Sequence, residues 1–145
     1  MENKKIKLAI VGATGLVGRT ALKVLEEKNL PIDEYVLFSS SRSAGKKINF
    51  MNKEYIVREL TATSFDEGFD YAIFSAGAST SKRYAPIAAR KGCVVIDNSS
   101  AFRMDPDVPL VVPEVNPEDI KEHKRNYCKS QLFYNSSCCC FKTIG

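Results

Sequence analysis

The stretch Lys7-Leu-Ala-Ile-Val-Gly-Ala-Thr-Gly-Leu-Val-Gly18 indicates the fold of this chain. Its apolar first residues predict a buried strand, and apolar residues recur at helical spacing after the glycines, to about Lys28. In such a strand–turn–helix, Gly12 permits a tight turn, Gly15 lets a phosphate approach the backbone, and Gly18 lets the helix pack closely on the strand. The turn therefore predicts a dinucleotide site, with the pyrophosphate at the helix N-terminus.

Apolar runs alternate with helix-like segments along the rest of the chain. This alternation predicts an α/β fold with a Rossmann-like, doubly wound parallel sheet. Further strands are expected at 35–38, 71–74, 93–96 and 110–112, short edge strands within 46–59, and helices at 79–91 and from Asn116. No internal repeat is present.

The end of the second strand indicates which dinucleotide binds. An NAD site usually has an acidic residue there, about 20 residues past the glycines, to hold the ribose 2′-hydroxyl. This strand runs instead into Ser39-Ser-Ser-Arg-Ser43, with no acid. Arg42 can pair with a 2′-phosphate, and the serine hydroxyls can donate hydrogen bonds to its oxygens. We therefore expect NADP as the cofactor.

Composition narrows the class of protein. With 145 residues, 44% apolar and 26% charged, the chain suits one globular domain. The last 21 residues hold three of the 21 basic residues and none of the 17 acidic ones, so most of the +4 charge lies there. This charge does not indicate a nucleic-acid-binding domain. No signal-peptide or membrane-spanning pattern is visible, so we expect a cytoplasmic protein without a membrane partner.

Longer motifs follow the glycine turn, namely Ser40-Ser-Arg-Ser-Ala-Gly45, Phe74-Ser-Ala-Gly77, Val95-Ile-Asp-Asn-Ser-Ser-Ala-Phe-Arg-Met-Asp105 and Val108-Pro-Leu-Val-Val-Pro-Glu-Val-Asn116. Together with that turn, the sequence from Lys7 to about Lys124 resembles the aspartate-β-semialdehyde dehydrogenases, which are NADP-dependent oxidoreductases of amino-acid biosynthesis in the aspartate pathway. The resemblance implies reductive dephosphorylation of aspartyl phosphate to aspartate semialdehyde. A cysteine thiolate expels phosphate, and hydride from NADPH reduces the thioester. It also implies a homo-oligomer.

The same resemblance implies roles for individual residues. It places the cofactor diphosphate at Thr14, Gly15, Leu16 and Val17 and the 2′-phosphate at Arg42 and Ser43. Gly12, Gly18 and Ser39 are expected to belong to the same cofactor site. It lines the cofactor cleft with Ser75, Ala76 and Gly77. On the substrate side, Arg103 is expected to hold the phosphoryl group and Asn98 to lie beside it.

The family's nucleophile lies in an Asn-Pro-Asn-Cys motif, which this sequence lacks. The general-base histidine and the catalytic and dimerisation domain are expected further along than residue 145. We therefore expect an NADP-binding domain at 1–124, an incomplete sheet and an irregular tail at 125–145. We expect no catalytic residue in the chain and no dehydrogenase activity from it.

A one-base frameshift explains the tail. Codons for Lys124 onward can be chosen so that removing one A at the boundary with Arg125 gives Gly-Ile-Ile-Ala-Asn-Pro-Asn-Cys. The next residues then become Ser-Thr-Ile-Gln-Val-Val-Val-Ala-Leu-Lys-Pro, which is the family's own continuation. The nucleophile's codon straddles Leu132 and Phe133. The sequence thus predicts a truncated product whose tail is out of frame.

Three other interpretations stay open to test. A metal site at His123, Cys128 and Cys138–Cys140 is disfavoured because structural zinc sites use cysteines spaced by about two to four residues, so we expect no metal. The chain can instead be a stand-alone NADP-binding module without catalysis, which tight binding dependent on Arg42 would favour. It can also be a fragment of N-acetyl-glutamyl-phosphate reductase, which shares the architecture but fits the Asn98–Arg103 string less well.

Overall fold

The computed structural model describes residues 5–29, 31–98, 110–111 and 126–129, with side chains described for the first two ranges. Nine strands are present in these residues: β1 (Lys7–Val11), β2 (Glu34–Ser39), β3 (Lys47–Phe50), β4 (Lys53–Ile56), β5 (Arg58–Glu59), β6 (Tyr71–Phe74), β7 (Val94–Asp97), β8 (Leu110–Val111) and β9 (Asn126–Lys129). Seven of them form one sheet in the order β5-β2-β1-β6-β7-β9-β8, with every neighbouring pair parallel. The predicted parallel α/β sheet is therefore confirmed.

The order of the strands reverses between β1 and β6. From β1 the chain builds outward through β2 to β5, and it then returns to place β6 on the other side of β1. Ligands of doubly wound sheets bind outside the carboxyl ends of the strands at such a switch point. Gly12 follows β1 and Ser75 follows β6, so both lie at this point.

Two helices cover opposite faces of the sheet. Helix α1 (Leu16–Lys28) packs Leu22 and Leu25 into a core with β1 and β2, and it ends at Asn29 in the left-handed conformation, φ 45°. Helix α2 (Ala78–Arg90) packs Ala85 and Ala88 into the core of the other face. Neither helix of the described ranges is long and apolar enough to cross a membrane.

A short 3-10 helix, Ser64–Glu67, closes the α2 face of the sheet. Its Phe65 is 1% exposed and lies among Phe38, Phe69 and Phe74, with ring centroids about 6 Å apart. Aromatic rings at this separation, in stacked, tilted or edge-on arrangements, stabilise a core beyond the area that they bury. This helix was not expected from the sequence, because four residues are too few to show a period.

Strands β3 and β4 form an antiparallel hairpin on the α1 face. Met51 and Asn52 connect them with φ 54° and 60°, as the two-residue turn that matches strand twist requires. The Met51 amide donates a hydrogen bond to the Glu26 carboxylate on α1, at 2.8 Å. The hairpin thereby covers the end of the core between α1 and the sheet. There the rings of Tyr35 and Phe50 meet edge to face, with centroids 4.9 Å apart.

The structure differs from the sequence expectations in its tail. Residues 125–145 were expected to be irregular, whereas Asn126–Lys129 form β9 between β7 and β8. A strand in this position is selected by backbone pairing with its neighbours, which a pattern along Asn-Tyr-Cys-Lys does not reveal. The predicted helix from Asn116 and the predicted site residue Arg103 lie outside the described residues.

Replacing Tyr35 with phenylalanine is expected to leave the free energy of unfolding unchanged or to raise it by up to about 1 kcal/mol. The Tyr35 hydroxyl is buried without a hydrogen-bond partner among the described side chains, so its removal relieves an uncompensated desolvation. Burial raises the pKa of Tyr35 above 10, with a smaller contribution from Tyr55. Wild-type stability should therefore fall as the pH rises past 10, and that of the variant should fall less. Urea titrations at pH 8 and pH 10.5 measure both effects.

Tyr35→Leu is the matched control, since it also removes the ring that packs against Phe50 and should cost about 1 kcal/mol. A loss of stability in Tyr35→Phe as large as in Tyr35→Leu would contradict the prediction.

Candidate functional site

The glycine turn connects β1 to α1 in a conformation that two of its glycines require. Gly12 has φ 86°, and a Cβ there would lie 2.8 Å from the carbonyl carbon of Ser75. A Cβ on Gly18 would overlap the carbonyl oxygen of Gly12. Gly15 is different, because a Cβ there would meet only the Gly12 oxygen at an ordinary 3.5 Å. Gly12 and Gly18 are thus needed for packing, whereas Gly15 leaves its surroundings open.

The N-terminus of α1 lies in this turn without a cap of its own. Its N-cap residue is Gly15, which has no side chain to cap the helix, and its first turn holds no acidic residue. The first amides of a helix have no acceptor within the helix and carry a partial positive charge. The amides of Gly12 and Ala13 are already bonded to the carbonyl oxygen of Phe38, at 2.9 and 3.2 Å. The turn is therefore rigid and presents an uncapped helix end.

A cavity of about 440 Å³ opens over this turn at the carboxyl ends of β1, β2, β5 and β6. It is lined by Val11, Gly12, Thr14, Gly15, Ser39, Ser40, Ser41, Glu59, Leu60, Ser75, Ala76, Thr80 and Tyr84. Six of the residues predicted for cofactor binding belong to this lining: Gly12, Thr14, Gly15, Ser39, Ser75 and Ala76. The structure thus brings together residues from three separate predicted motifs.

Hydroxyl groups dominate the polar part of the lining. The hydroxyls of Thr14 and Ser39 share a hydrogen bond of 2.9 Å, which ties the glycine turn to the end of β2. The Ser75 hydroxyl is buried with no hydrogen-bond partner in the described residues. An orphaned buried hydroxyl in a cavity wall carries a desolvation cost that a ligand can relieve.

Arg42 and Ser43 lie just beyond this lining, in the turn from Ser40 to Gly45. The amide of Ser43 donates to the Ser40 carbonyl oxygen at 3.0 Å, and Gly45 donates to Val57 at 2.7 Å. The turn is therefore closed by its own hydrogen bond and is tied at its far end to Val57, between β4 and β5. Arg42 is exposed and makes no ion pair within the described ranges.

The remaining predicted residues lie around the cavity rather than in its wall. Leu16 and Val17 are 84% and 49% exposed at the start of α1. Gly77 is the N-cap residue of α2, with φ 100°. Asn98 follows β7, and its amide donates to the Phe74 carbonyl oxygen at 3.0 Å.

A buried polar contact joins α2 to the end of β7. The Ser81 hydroxyl donates to Asp97 at 2.8 Å, and neither residue is exposed to solvent. This bond lies beside the start of the segment that was predicted to bind substrate. In the part of the chain with described side chains, no group of three or more histidine, cysteine or acidic residues is placed to hold a metal ion.

Seven lining residues were not among the predicted site residues. Val11, Ser40 and Ser41 adjoin predicted ones, whereas Glu59, Leu60, Thr80 and Tyr84 come from segments where no cofactor contact was expected. Thr80 and Tyr84 are four residues apart on α2, a spacing that puts them on one face and could have suggested a shared wall. Nothing local marks Glu59 and Leu60, because they reach the cavity only through the pairing of β5 with β2.

Comparison with protein families gives one match over most of the chain. Residues 7–123 match the family described as "Semialdehyde dehydrogenase, NAD binding domain". This range includes the glycine turn and every strand from β1 to β8.

Individual relatives agree with the family match. The chain is 60% identical to the aspartate-semialdehyde dehydrogenase of Aquifex aeolicus over 132 residues, which are 91% of this chain and 38% of that protein. The aspartate semialdehyde dehydrogenase II of Vibrio cholerae, solved with ASA, superposes with a TM-score of 0.79 at 45% identity, covering 87% of this chain and 42% of that one. The aspartate semialdehyde dehydrogenase of Candida albicans, solved with NADP, superposes with a TM-score of 0.72 at 27% identity. The match covers 86% of this chain and 42% of that one. The chain thus spans about two fifths of the length of these relatives.

Proposed function

The chain belongs to the semialdehyde dehydrogenase family through its NAD-binding domain, and on that premise we propose that it is the NADP-binding part of an aspartate-semialdehyde dehydrogenase. One observation carries the proposal: the switch-point cavity combines an uncapped helix N-terminus with a wall of hydroxyl groups. Helix N-termini of this kind bind phosphates in dinucleotide folds.

The residues present fit a dinucleotide. The open position at Gly15 leaves room for a phosphate to approach the backbone, and the orphaned Ser75 hydroxyl gains a hydrogen-bond partner. We assign the diphosphate to Thr14–Val17 and the cleft wall to Ser75 and Ala76, with Gly77 at the adjoining start of α2. The bound cofactor would supply the hydride; these residues would hold and orient it.

Arg42 is assigned to the 2′-phosphate, together with Ser39 and Ser43. The basis is chemical, since a guanidinium fork matches phosphate oxygens and no acidic residue ends β2. The exposed guanidinium, which has no ion-pair partner among the described residues, can turn toward a ligand held over Ser40 and Ser41.

Replacing Arg42 with alanine should weaken NADP binding about 10- to 100-fold, the value of a charge-assisted phosphate contact. Affinity for NAD, which lacks the 2′-phosphate, should change by less than about twofold. Calorimetric titration of the 145-residue chain with each dinucleotide measures both. Arg90→Ala, which removes the same charge at the far end of α2, should change neither affinity. An equal loss in the two arginine variants would contradict the assignment.

For the whole enzyme we propose reductive dephosphorylation of aspartyl phosphate, with Arg103 and Asn98 on the substrate side. The printed sequence has no Asn-Pro-Asn-Cys motif to supply a nucleophile. We therefore expect no reduction of NADP when the purified chain is given aspartate semialdehyde and phosphate. Turnover in that assay would overturn this part of the proposal.

Strand β9, the described part of the tail, supports the hypothesis of a frameshift. Strand β9 occupies an inner position of a parallel sheet, where strands are usually continuous apolar runs. In the shifted frame, Ile-Ile-Ala replaces Asn126-Tyr127-Cys128, and this triplet suits such a strand better. Sequencing the encoding DNA tests the idea, which fails unless a one-base change near the Lys124 codon restores Asn-Pro-Asn-Cys.

The family assignment also supports a proposal about compartment and assembly. We propose a cytoplasmic enzyme that forms a homo-oligomer through residues beyond this domain. The stand-alone cofactor-binding module is the second candidate, because the described lining of this cavity lies within residues 11–84. NADP binding without any enzyme activity of a full-length, in-frame protein would favour it.

A further inference from the structure

Glu59 brings a carboxylate to the cofactor cavity from a strand where none was expected. It is the last residue of β5, which pairs in parallel with β2 so that Glu59 lies opposite Ser39. Neighbouring strands of a sheet are about 4.8 Å apart. Glu59 therefore stands one strand away from the position where an NAD site usually has its acidic residue.

The side chain of Glu59 lies on the cavity side of this strand pair. Successive residues of a strand point to opposite faces, and the guanidinium of Arg58 lies over the Phe38 ring, 5.4 Å from its centroid. Glu59 and Ser39 consequently share the other face, on which the Ser39 hydroxyl meets Thr14. Both residues line the cavity.

No partner within the described ranges occupies the Glu59 carboxylate. The nearby cation, Arg58, points to the opposite face and pairs with Glu67 at 2.8 Å. Glu59 is exposed, and it makes neither an ion pair nor a side-chain hydrogen bond with a described residue. An exposed carboxylate in a cavity wall is an acceptor available to a ligand.

A carboxylate accepts hydrogen bonds from ribose hydroxyls and repels a phosphate. Arg42 lies on the adjoining turn and has the opposite preference. We propose that Glu59 is a second determinant of cofactor choice, which binds the adenosine ribose of NAD and lets the site accept NAD as well as NADP. The inference rests on the proposed dinucleotide site and adds to it a residue and a second ligand.

The test is a comparison of NAD and NADP binding to the 145-residue chain and to Glu59→Gln, by calorimetric titration. Wild-type chain should bind both dinucleotides. The variant should lose about tenfold in NAD affinity, because an amide replaces a charged acceptor. Its NADP affinity should rise about threefold, because the repulsion of the 2′-phosphate is gone. The ratio of the two affinities thus shifts by about thirtyfold in favour of NADP.

Glu54→Gln is the matched control, since Glu54 lies on β4 in an exposed pair with Lys47 and outside the cavity. It should leave both affinities unchanged. NADP binding without NAD binding in the wild-type chain, or an unchanged NAD affinity in Glu59→Gln, would overturn the role of Glu59 and leave the proposed function standing. Failure of the wild-type chain to bind either dinucleotide would overturn both.

Discussion

Gly18→Ala should lower the free energy of unfolding by about 3 kcal/mol, although alanine is the better helix former. The gain in helix propensity is about 1 kcal/mol. It is outweighed because the new Cβ would overlap the Gly12 carbonyl oxygen, a backbone atom fixed by the hydrogen bonds of the turn. This overlap is relieved only if α1 moves away from β1, and that movement opens the core between α1 and the sheet. Urea denaturation with linear extrapolation measures the loss.

The Gly15→Ala variant, in the same turn, distinguishes the effect of an added methyl group on stability from its effect on cofactor binding. Gly15 has φ −77°, and a Cβ there meets no atom closer than 3.5 Å. The free energy of unfolding of the Gly15→Ala variant should differ from that of the wild-type chain by less than about 1 kcal/mol. Its NADP affinity should still fall, because the methyl group stands where the phosphate is proposed to approach the backbone. Gly18→Ala as stable as the wild-type chain would show that α1 does not need this close approach.

Phe65→Ala should cost about 3–5 kcal/mol of stability, which is a large fraction of that of a small domain. Phe65 is 1% exposed and contacts three other phenylalanine rings, so its truncation leaves a cavity that these neighbours cannot fill. Thermal and urea unfolding should both report the loss.

Two further variants sharpen this result. Phe65→Leu keeps most of the buried volume and should lose less than half as much. Leu16→Ala removes an apolar side chain that is 84% exposed and should stay within about 0.5 kcal/mol of wild type. If Phe65→Ala loses no more stability than Leu16→Ala, the 3-10 helix does not close the core on the α2 face of the sheet.

Most of the fold could be predicted because its signals are local. The helical spacing after Gly18 predicted α1 to its last residue, and the apolar run 71–74 predicted β6. The predictions for β2 and β7 were each within one residue of the observed ends. The glycine spacing also placed the predicted site at the carboxyl end of β1, where the cavity opens. The 3-10 helix and β9 were missed because neither has a pattern of its own.

The sequence by itself determined the type of fold, the glycine turn and the end of the sheet that carries the site. These depend on strand and helix periods and on the φ angle at Gly12, which contiguous residues encode. Only the tertiary structure decided the wall of the cavity. Glu59 reaches the cavity because β5 pairs with β2. Tyr84 reaches it because α2 packs against one face of the sheet. Contacts between segments distant in sequence leave no periodic pattern along the chain, because they arise only from backbone pairing and close packing as the chain folds.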